Sequence, residues 1–286
     1  MLLAVGLLGV STSGPVIAAT AAPALAIAFW RNALGTAVVG TVALARQWAR
    51  LRSAPAGTLW LSALSGLLLA GHFALWIPSL RYTSVASSTA IVSLQAVWTA
   101  MIGRLAGERL GRRAWTGIAV SIAGVLVVTG VDLSVSGRAL AGDAMALGGG
   151  AFAAVYVVAG ARVRRVLPTA SYTAVCYGVC SLALLAACLV GGVDLGGYPA
   201  TAWLGIVTVT VAAQLFGHTV FNVVLRSVPP TVLSVAILLE VPGAAVIAAV
   251  WLGQTPPAAA VPALGLVLAG TALVVLGRPA PAALAD

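Results

Sequence analysis

Residues 71–81 read GHFALWIPSLR, and residues 217–226 read GHTVFNVVLR. The chain has two histidines, and they occupy the same place in these two stretches, 146 residues apart. The same offset aligns two further pairs, Gly107-Glu108 with Gly253-Gln254 and Gly124 with Gly270. Because so rare a residue recurs in the same context, the sequence indicates an internal duplication, and we expect the two halves of the chain to share one fold.

The composition is that of a membrane protein. Of the 286 residues, 61% are hydrophobic and 7% are charged, and the mean hydropathy is +1.10. A soluble domain of this length needs far more charge to cover its surface. No long polar stretch is left over for a separate aqueous domain. The sequence therefore predicts an all-α membrane protein.

Ten apolar runs have the ~20 residues that a membrane-spanning helix needs. The first is read as a helix rather than a signal peptide, because Ser11 to Pro15 interrupt it with polar and helix-breaking residues and the duplication requires it. We expect two five-helix repeats, residues 1–131 and 143–277, and a short tail at 278–286. The predicted helices lie near residues 2–20, 24–45, 57–79, 83–106, 114–131, 143–161, 171–191, 201–224, 229–252 and 258–277.

The arginines orient these helices. All fifteen basic residues are arginine, against six acidic residues, and the net charge is +9. Arg81 and Arg138 fall on one side of the predicted bundle, and Arg31 falls inside a span. The positive-inside rule makes the opposite, arginine-rich side cytoplasmic, so we expect a multi-pass plasma-membrane protein with both termini in the cytoplasm. Twelve arginines fall on that side: Arg46, Arg50, Arg52, Arg104, Arg109, Arg112, Arg113, Arg162, Arg164, Arg165, Arg226 and Arg278.

Five helices per half is an odd number, so the two halves must cross the membrane in opposite directions. Inverted repeats of this kind are typical of transporters, in which they place a binding site near the midplane that opens to either side in turn. Under this arrangement His72 lies toward the outside and His218 toward the cytoplasm. A structural duplication with no transport role remains the alternative.

Residues 71–130 and 217–277 resemble the EamA-type domain of the drug/metabolite transporter superfamily, including SLQAVWTAMIGRLAGERL at 93–110 and AILLEVPGAAVIAAVWLGQ at 236–254. Phe29 to Arg31 are similar to the arginine-bearing second helix of that family. The resemblance covers nearly the whole chain. It implies a ten-helix secondary transporter that exports small metabolites or drugs.

Three positions depart from the family pattern. Gln95-Ala96 stands where the first half commonly has proline, and Glu240-Val241-Pro242 replaces the common Glu-Pro of the second half. Gln254 stands where a glutamate commonly ends the ninth helix. These departures leave the fold intact, but they prevent us from carrying over the family's coupling mechanism.

Glu240 and Arg31 are the leading candidates for the transport site. An ionisable group at membrane depth costs about 3 kcal/mol on insertion scales, so such a residue indicates function. A carboxyl group in an apolar surrounding could exchange protons or pair with a cationic substrate. Arg31 could bind an anionic substrate group or neutralise Glu240. Structural pairing of Glu240 and snorkelling of Arg31 toward the headgroups are the alternatives.

Further candidates are polar or aromatic residues inside predicted spans. A histidine in a helix can instead satisfy a neighbouring carbonyl, and the serines of the first helix can instead serve close helix packing. These candidates are His72, His218, Gln95, Trp98, Ser11, Ser13, Asn222 and Tyr156, with Trp76 as a further lining residue.

The competing functions are an intramembrane enzyme and a passive channel for small polar solutes. An enzyme would need clustered nucleophiles or metal ligands, and the sequence contains no HExxH or GxSxG motif. The three cysteines read as small buried hydrophobes. We therefore expect no catalysis, metal or cofactor and no nucleic-acid partner. The expected partners are a small-molecule substrate, protons as a candidate coupling ion, and the bilayer, in a monomer or homodimer.

Overall fold

The computed structural model describes residues 2–107, 109–221 and 237–277. The fold is all-helical, with 82% helix. Residues 210–219 form a π-helical segment, Thr210–Thr219, that continues α10. The helices are α1 Leu2–Ser11, α2 Ser13–Ala19, α3 Ala24–Arg52, α4 Ala56–Ser79, α5 Val85–Val92, α6 Gln95–Leu105, α7 Arg112–Val135, α8 Ala139–Val163, α9 Thr169–Val190, α10 Ala200–Val209, α11 Glu240–Leu252 and α12 Ala260–Leu276.

Among the described residues, seven helical stretches are long and apolar enough to cross a membrane. Three shorter apolar helices, Ala4–Ala19, Glu240–Leu252 and Ala260–Leu276, lie within the first, ninth and tenth predicted spans. The all-α membrane class is therefore confirmed, while the count of ten spans stays a prediction. Glu108, residues 222–236 and the predicted tail at 278–286 lie outside the described residues.

The first predicted span is broken at Thr12, between α1 and α2. Pro15 cannot donate a backbone hydrogen bond, and the Thr12 hydroxyl donates back to the Gly9 carbonyl at 2.7 Å. A hydroxyl that competes for a helical carbonyl loosens the helix at that point. The break therefore coincides with the polar, proline-containing stretch in the sequence.

The fourth predicted span is also interrupted, at Ser93 and Leu94 between α5 and α6. The Ser93 hydroxyl donates to the Ala90 carbonyl at 2.7 Å, and the Leu94 amide bonds three residues back to Ile91 rather than four. No proline marks this place in the sequence. The interruption leaves α6 to begin at Gln95.

Contacts between helices follow one pattern across the two halves. α3 packs on α9, α7 on α12 and α5 on α11, which joins equivalent members of the two predicted repeats. α4 packs on α8, and the π-helical segment packs on α1, which is the same contact with the halves exchanged. In the same way, the contact of α4 with α9 corresponds to the contact of the π-helical segment with α3. These contacts are thus retained when the halves are exchanged, whereas others, such as α12 on α5, are not matched to the same extent.

Small residues allow the closest helix contacts. A Cβ at Gly117 of α7 would lie 2.5 Å from the Gly270 carbonyl oxygen of α12, and one at Gly124 would lie 2.7 Å from the Val267 amide. Gly149 similarly lets α8 pack against Trp76 of α4. A Cβ at Gly149 would lie 3.2 Å from the Trp76 Cβ. Such small-residue contacts are typical of helix packing in membranes.

Candidate functional site

Arg31 lies in the third turn of α3, about 10 Å from the start of the helix at about 1.5 Å per residue. Its side chain is fully buried, with 0% exposure. Long cationic side chains near the end of a span can reach the headgroups, but this guanidinium turns into the protein instead. The snorkelling alternative for Arg31 therefore does not describe its observed position.

A polar network holds the Arg31 guanidinium. Its Nε donates to the Gln214 Oε1 at 2.9 Å, and the Gln214 amide nitrogen donates to the Asn32 Oδ1 at 3.1 Å. The Asn32 amide in turn donates to the Ala28 carbonyl at 2.8 Å. Each of the three side chains is therefore oriented by the next, and all three are buried.

Two further contacts fix the plane of the guanidinium. The Arg31 Cζ lies 4.4 Å from the centre of the Phe73 ring on α4, which is a cation–π contact. The Arg31 Nη1 donates to the Ser13 hydroxyl on α2 at 3.5 Å, a long hydrogen bond. The remaining nitrogen, Nη2, is buried and has no hydrogen-bond partner among the described residues. One edge of the guanidinium is thus left able to donate to an acceptor.

Helix geometry places Gln214 for this contact. Gln214 lies in the π-helical segment, an uncommon conformation that occurs frequently at functional sites. Gly35 lies opposite it on α3, and a Cβ there would approach the Gln214 amide nitrogen to 3.3 Å. The absence of a side chain at Gly35 therefore gives the glutamine room to reach Arg31.

Glu240 and the two histidines surround the same guanidinium. Glu240, half-buried at the start of α11, interacts electrostatically with Arg31. His72 and His218 also lie within electrostatic range of Arg31 and of each other. His72 contacts the Gly149 carbonyl through its Nδ1 at 2.9 Å and stacks on Trp76 at 5.7 Å, so it satisfies a carbonyl. The structure thus brings ionisable residues from both halves into the neighbourhood of Arg31.

The serines of the first predicted span differ in their contacts. Ser13 accepts the Arg31 bond described above, whereas the Ser11 side chain lies against Gly243 of α11. Both serines are buried. Ser13 therefore belongs to the Arg31 cluster, and Ser11 belongs to the packing between α1 and α11.

The other sequence candidates that the structure describes form no hydrogen bond with Arg31. Gln95 is half-buried and opens α6. Trp98 has 37% of its surface exposed. Tyr156 on α8 is half-buried and interacts with Tyr172 and Cys176 of α9. Asn222 lies outside the described residues.

Sequence reasoning missed Gln214, Asn32 and Phe73. Gln214 carried a usable signal, because it is the only amide in the apolar stretch VTVTVAAQLFGH at 207–218 and a buried amide needs a partner. Asn32 directly follows the predicted site residue Arg31. Phe73 carried no distinguishing signal, because a phenylalanine in an apolar helix is ordinary.

No metal centre accompanies this cluster. Within residues 2–107, 109–221 and 237–277, no three His, Cys, Asp or Glu side chains come together as ligands. The three cysteines are buried free thiols in the packed interior. The arrangement suits the binding of a small polar or anionic group.

This chain is similar to a curated transporter and to solved structures. An uncharacterized transporter of Archaeoglobus fulgidus is 28% identical over 151 residues, which are 51% of this chain and 51% of that protein. The match thus spans about half the length of that relative. A solved crystal structure superposes with a TM-score of 0.66 at 20% identity, covering 97% of both chains, which establishes a shared fold.

The family comparison covers almost the whole chain. Residues 1–130 and 140–276 both match the model of the EamA-like transporter family. These two segments contain Arg31 and Glu240 respectively, the charged residues that the fold brings together. The resemblance seen in the sequence is confirmed, and the chain belongs to the EamA-like transporter family.

Proposed function

We propose that this protein is a secondary transporter that moves a small metabolite or drug carrying an anionic group, and that Arg31 binds that group. Membership of a transporter family makes it a transporter. The proposed substrate class rests on one observation. The Arg31 Nη2 is a donor on a fully buried side chain, and it has no hydrogen-bond partner among the described residues.

The energetics favour a ligand for this nitrogen. A buried donor left unsatisfied costs about 1–3 kcal/mol, and more when the group is charged. A carboxylate or phosphate oxygen would accept from it in a charge-assisted hydrogen bond, which is about twice as strong as a neutral one. The Gln214 and Phe73 contacts hold the guanidinium ready, so less conformational entropy is lost on binding.

Glu240 is the competing anion in this scheme. It interacts electrostatically with Arg31 across the two halves. When no substrate is bound, Glu240 balances the charge of Arg31; when an anionic substrate binds, the protonated, neutral form of Glu240 removes the repulsion between them. The anionic substrate and the proton on Glu240 then move in the same direction, so a pH gradient affects transport, and export requires an outward substrate gradient that exceeds the opposing proton gradient.

Alternating access is the mechanism that we propose for this transport. The neighbour pattern that survives exchange of the halves supports the inverted-repeat prediction, and inverted repeats commonly rock about a central site. The breaks at Thr12 and at Ser93-Leu94 provide places at which spans can bend. We propose export across the plasma membrane, with both termini cytoplasmic, from the arginine distribution.

Counterflow in proteoliposomes tests this function. Vesicles preloaded with members of a metabolite panel are exposed to a radiolabelled trace of the same compound, with and without an imposed pH gradient. A carrier accumulates label transiently and saturates, and Glu240→Gln abolishes the response to the pH gradient while the protein still inserts. Flux that does not saturate and shows no counterflow would establish a passive channel. Chemical conversion of the panel compounds would establish an intramembrane enzyme.

A further inference from the structure

A second group of ionisable residues lies away from Arg31, where α7 ends and α8 begins. Asp132 is in the last turn of α7 and Asp143 is in the second turn of α8. Both side chains are buried, with 6% and 3% exposure. Their carboxyl groups lie close enough to interact directly. Two of the six acidic residues in the chain thus meet inside the protein.

The loop between α4 and α5 closes over this pair. A Cβ at Gly142 would lie 2.8 Å from the Thr83 amide and 2.9 Å from the Tyr82 Cβ, so the glycine lets the loop lie against α8. The Thr83 hydroxyl donates to the Asp132 Oδ2 at 3.2 Å. Thr83 and Thr129 both lie beside Asp143. The pair is therefore enclosed by α7, α8 and this loop.

Asp143 lacks the partners that a buried carboxylate needs. Within the described residues, both of its oxygens are buried and form no hydrogen bond of normal geometry, although the Thr83, Thr129 and Asp132 side chains lie within reach. The nearby arginines are engaged elsewhere, because Arg138 stacks over the Tyr82 ring at 5.3 Å and Arg81 donates to backbone carbonyls at the end of α2. Within the described part of the chain, no basic side chain forms an ion pair with Asp132 or Asp143.

We propose that Asp132 and Asp143 form a proton-binding site in which the two carboxyl groups share one proton. Two ionised carboxylates in contact and out of water repel each other strongly, so one of them takes a proton. The protonated carboxyl then donates to the other, which supplies the missing hydrogen bond. Within the described residues, no third Asp, Glu, His or Cys side chain joins the pair as a metal ligand.

The position of the pair links proton binding to the arrangement of the halves. Asp132 and Thr83 belong to the first half of the chain, whereas Asp143 belongs to the second. The proton is held only while the two carboxyl groups are in contact. A movement that separates α7 from α8 therefore releases the proton, and protonation favours the arrangement described above. This site is independent of the substrate and of Glu240.

Infrared difference spectroscopy tests the proposal on the full chain reconstituted in lipid. The Glu240→Gln chain is used as the reference so that Glu240 contributes no carboxyl signal. At neutral pH we expect a C=O stretching band of a protonated carboxyl group, which is lost in the Asp143→Asn and Asp132→Asn variants. Asp194→Asn serves as the matched control, because Asp194 is exposed in the loop after α9, and this variant keeps the band.

Three results would overturn the proposal. They are the absence of the band at neutral pH in the reference chain, its survival in both asparagine variants, and its appearance only when sodium is removed. The absence of the band is measured in a chain that keeps both aspartates, so this result remains decisive if either asparagine variant fails to fold. A Thr83→Val variant provides a second test. Loss of the hydroxyl contact with Asp132 is expected to shift the frequency of the band without removing it.

Discussion

The surroundings of Arg31 explain how a charged residue is tolerated inside the membrane and why we propose that it binds a ligand. An arginine at membrane depth costs about 2.5–3.5 kcal/mol on insertion scales. Gln214, Ser13 and the Phe73 ring compensate part of that cost, and the Nη2 remains for a ligand. A purely structural arginine would be expected to bond through all of its donors. This partial satisfaction is the reason for which we propose Arg31 as a binding residue.

Gln214 orients Arg31, and its replacement should weaken substrate binding. In Gln214→Leu the guanidinium loses an acceptor worth about 1.5–3 kcal/mol, so we expect the apparent KM to rise roughly ten- to a hundredfold. Substrate-concentration series in counterflow provide the measurement. Gln47→Leu is the matched control, because Gln47 bonds Ser171 between α3 and α9, far along α3 from Arg31. An unchanged KM in Gln214→Leu would show that the glutamine does not position Arg31.

Residue patterns in the sequence could identify Arg31 and Glu240 because ionisable groups inside apolar runs stand out. They could not distinguish Gln214 from Gln95, since both are amides near the middle of a predicted span. Only helix packing decides which amide faces Arg31. The proximity of Asp143 to Asp132 was likewise not predictable, because it depends on how the chain turns between α7 and α8.

At the scale of elements, helix ends and helix contacts are held by specific groups. The Arg81 guanidinium donates to the carbonyls of Ala18 and Thr20 at 3.1 and 2.6 Å, and so caps the end of α2. Cationic groups stabilise the C-terminus of a helix. The long apolar helices were predictable from composition. The break at Ser93 was not predictable, because serine residues often occur within a helix without interrupting it.

Removal of the Arg81 cap should loosen the end of α2. In Arg81→Ala the carbonyls at residues 17–22 lose their donor, so we expect faster hydrogen exchange of the backbone amides there. Mass spectrometry of peptides from this region measures the rate. Arg138→Ala is the control, because Arg138 lies at the same end of the protein but stacks on Tyr82. Equal exchange in wild type and Arg81→Ala would show that the cap contributes nothing.

The contact between α7 and α12 depends on Gly117. In Gly117→Leu the new side chain meets the Gly270 carbonyl oxygen, which lies 2.5 Å from the Cβ position, and the helices must separate. Overpacking of this kind costs about 1–3 kcal/mol or more, so we expect a lower midpoint of thermal unfolding. Gly130→Leu on the same helix is the control, because nothing lies within 4 Å of its Cβ position. A similar midpoint in both variants would contradict the close contact.

For the whole molecule, the two halves are related but not equivalent. Several of their mutual contacts recur on exchange, yet the cation of the candidate site comes from the first half and the nearby carboxylate from the second. The duplication could be predicted from the paired histidines, and the charge asymmetry from the positions of Arg31 and Glu240. The proximity of Arg31 and Glu240 could not be predicted, because it depends on how the two halves pack.

The binding of an anionic group by Arg31 is tested most directly with matched pairs of ligands. Small carboxylates and the corresponding uncharged amides are compared for their ability to raise the thermal unfolding midpoint of the purified protein. We predict that the carboxylates found to bind stabilise the wild type, that their amides do not, and that Arg31→Gln abolishes the difference. Ligands that stabilise wild type and Arg31→Gln equally, or amides that bind as well as carboxylates, would contradict the proposed role of Arg31.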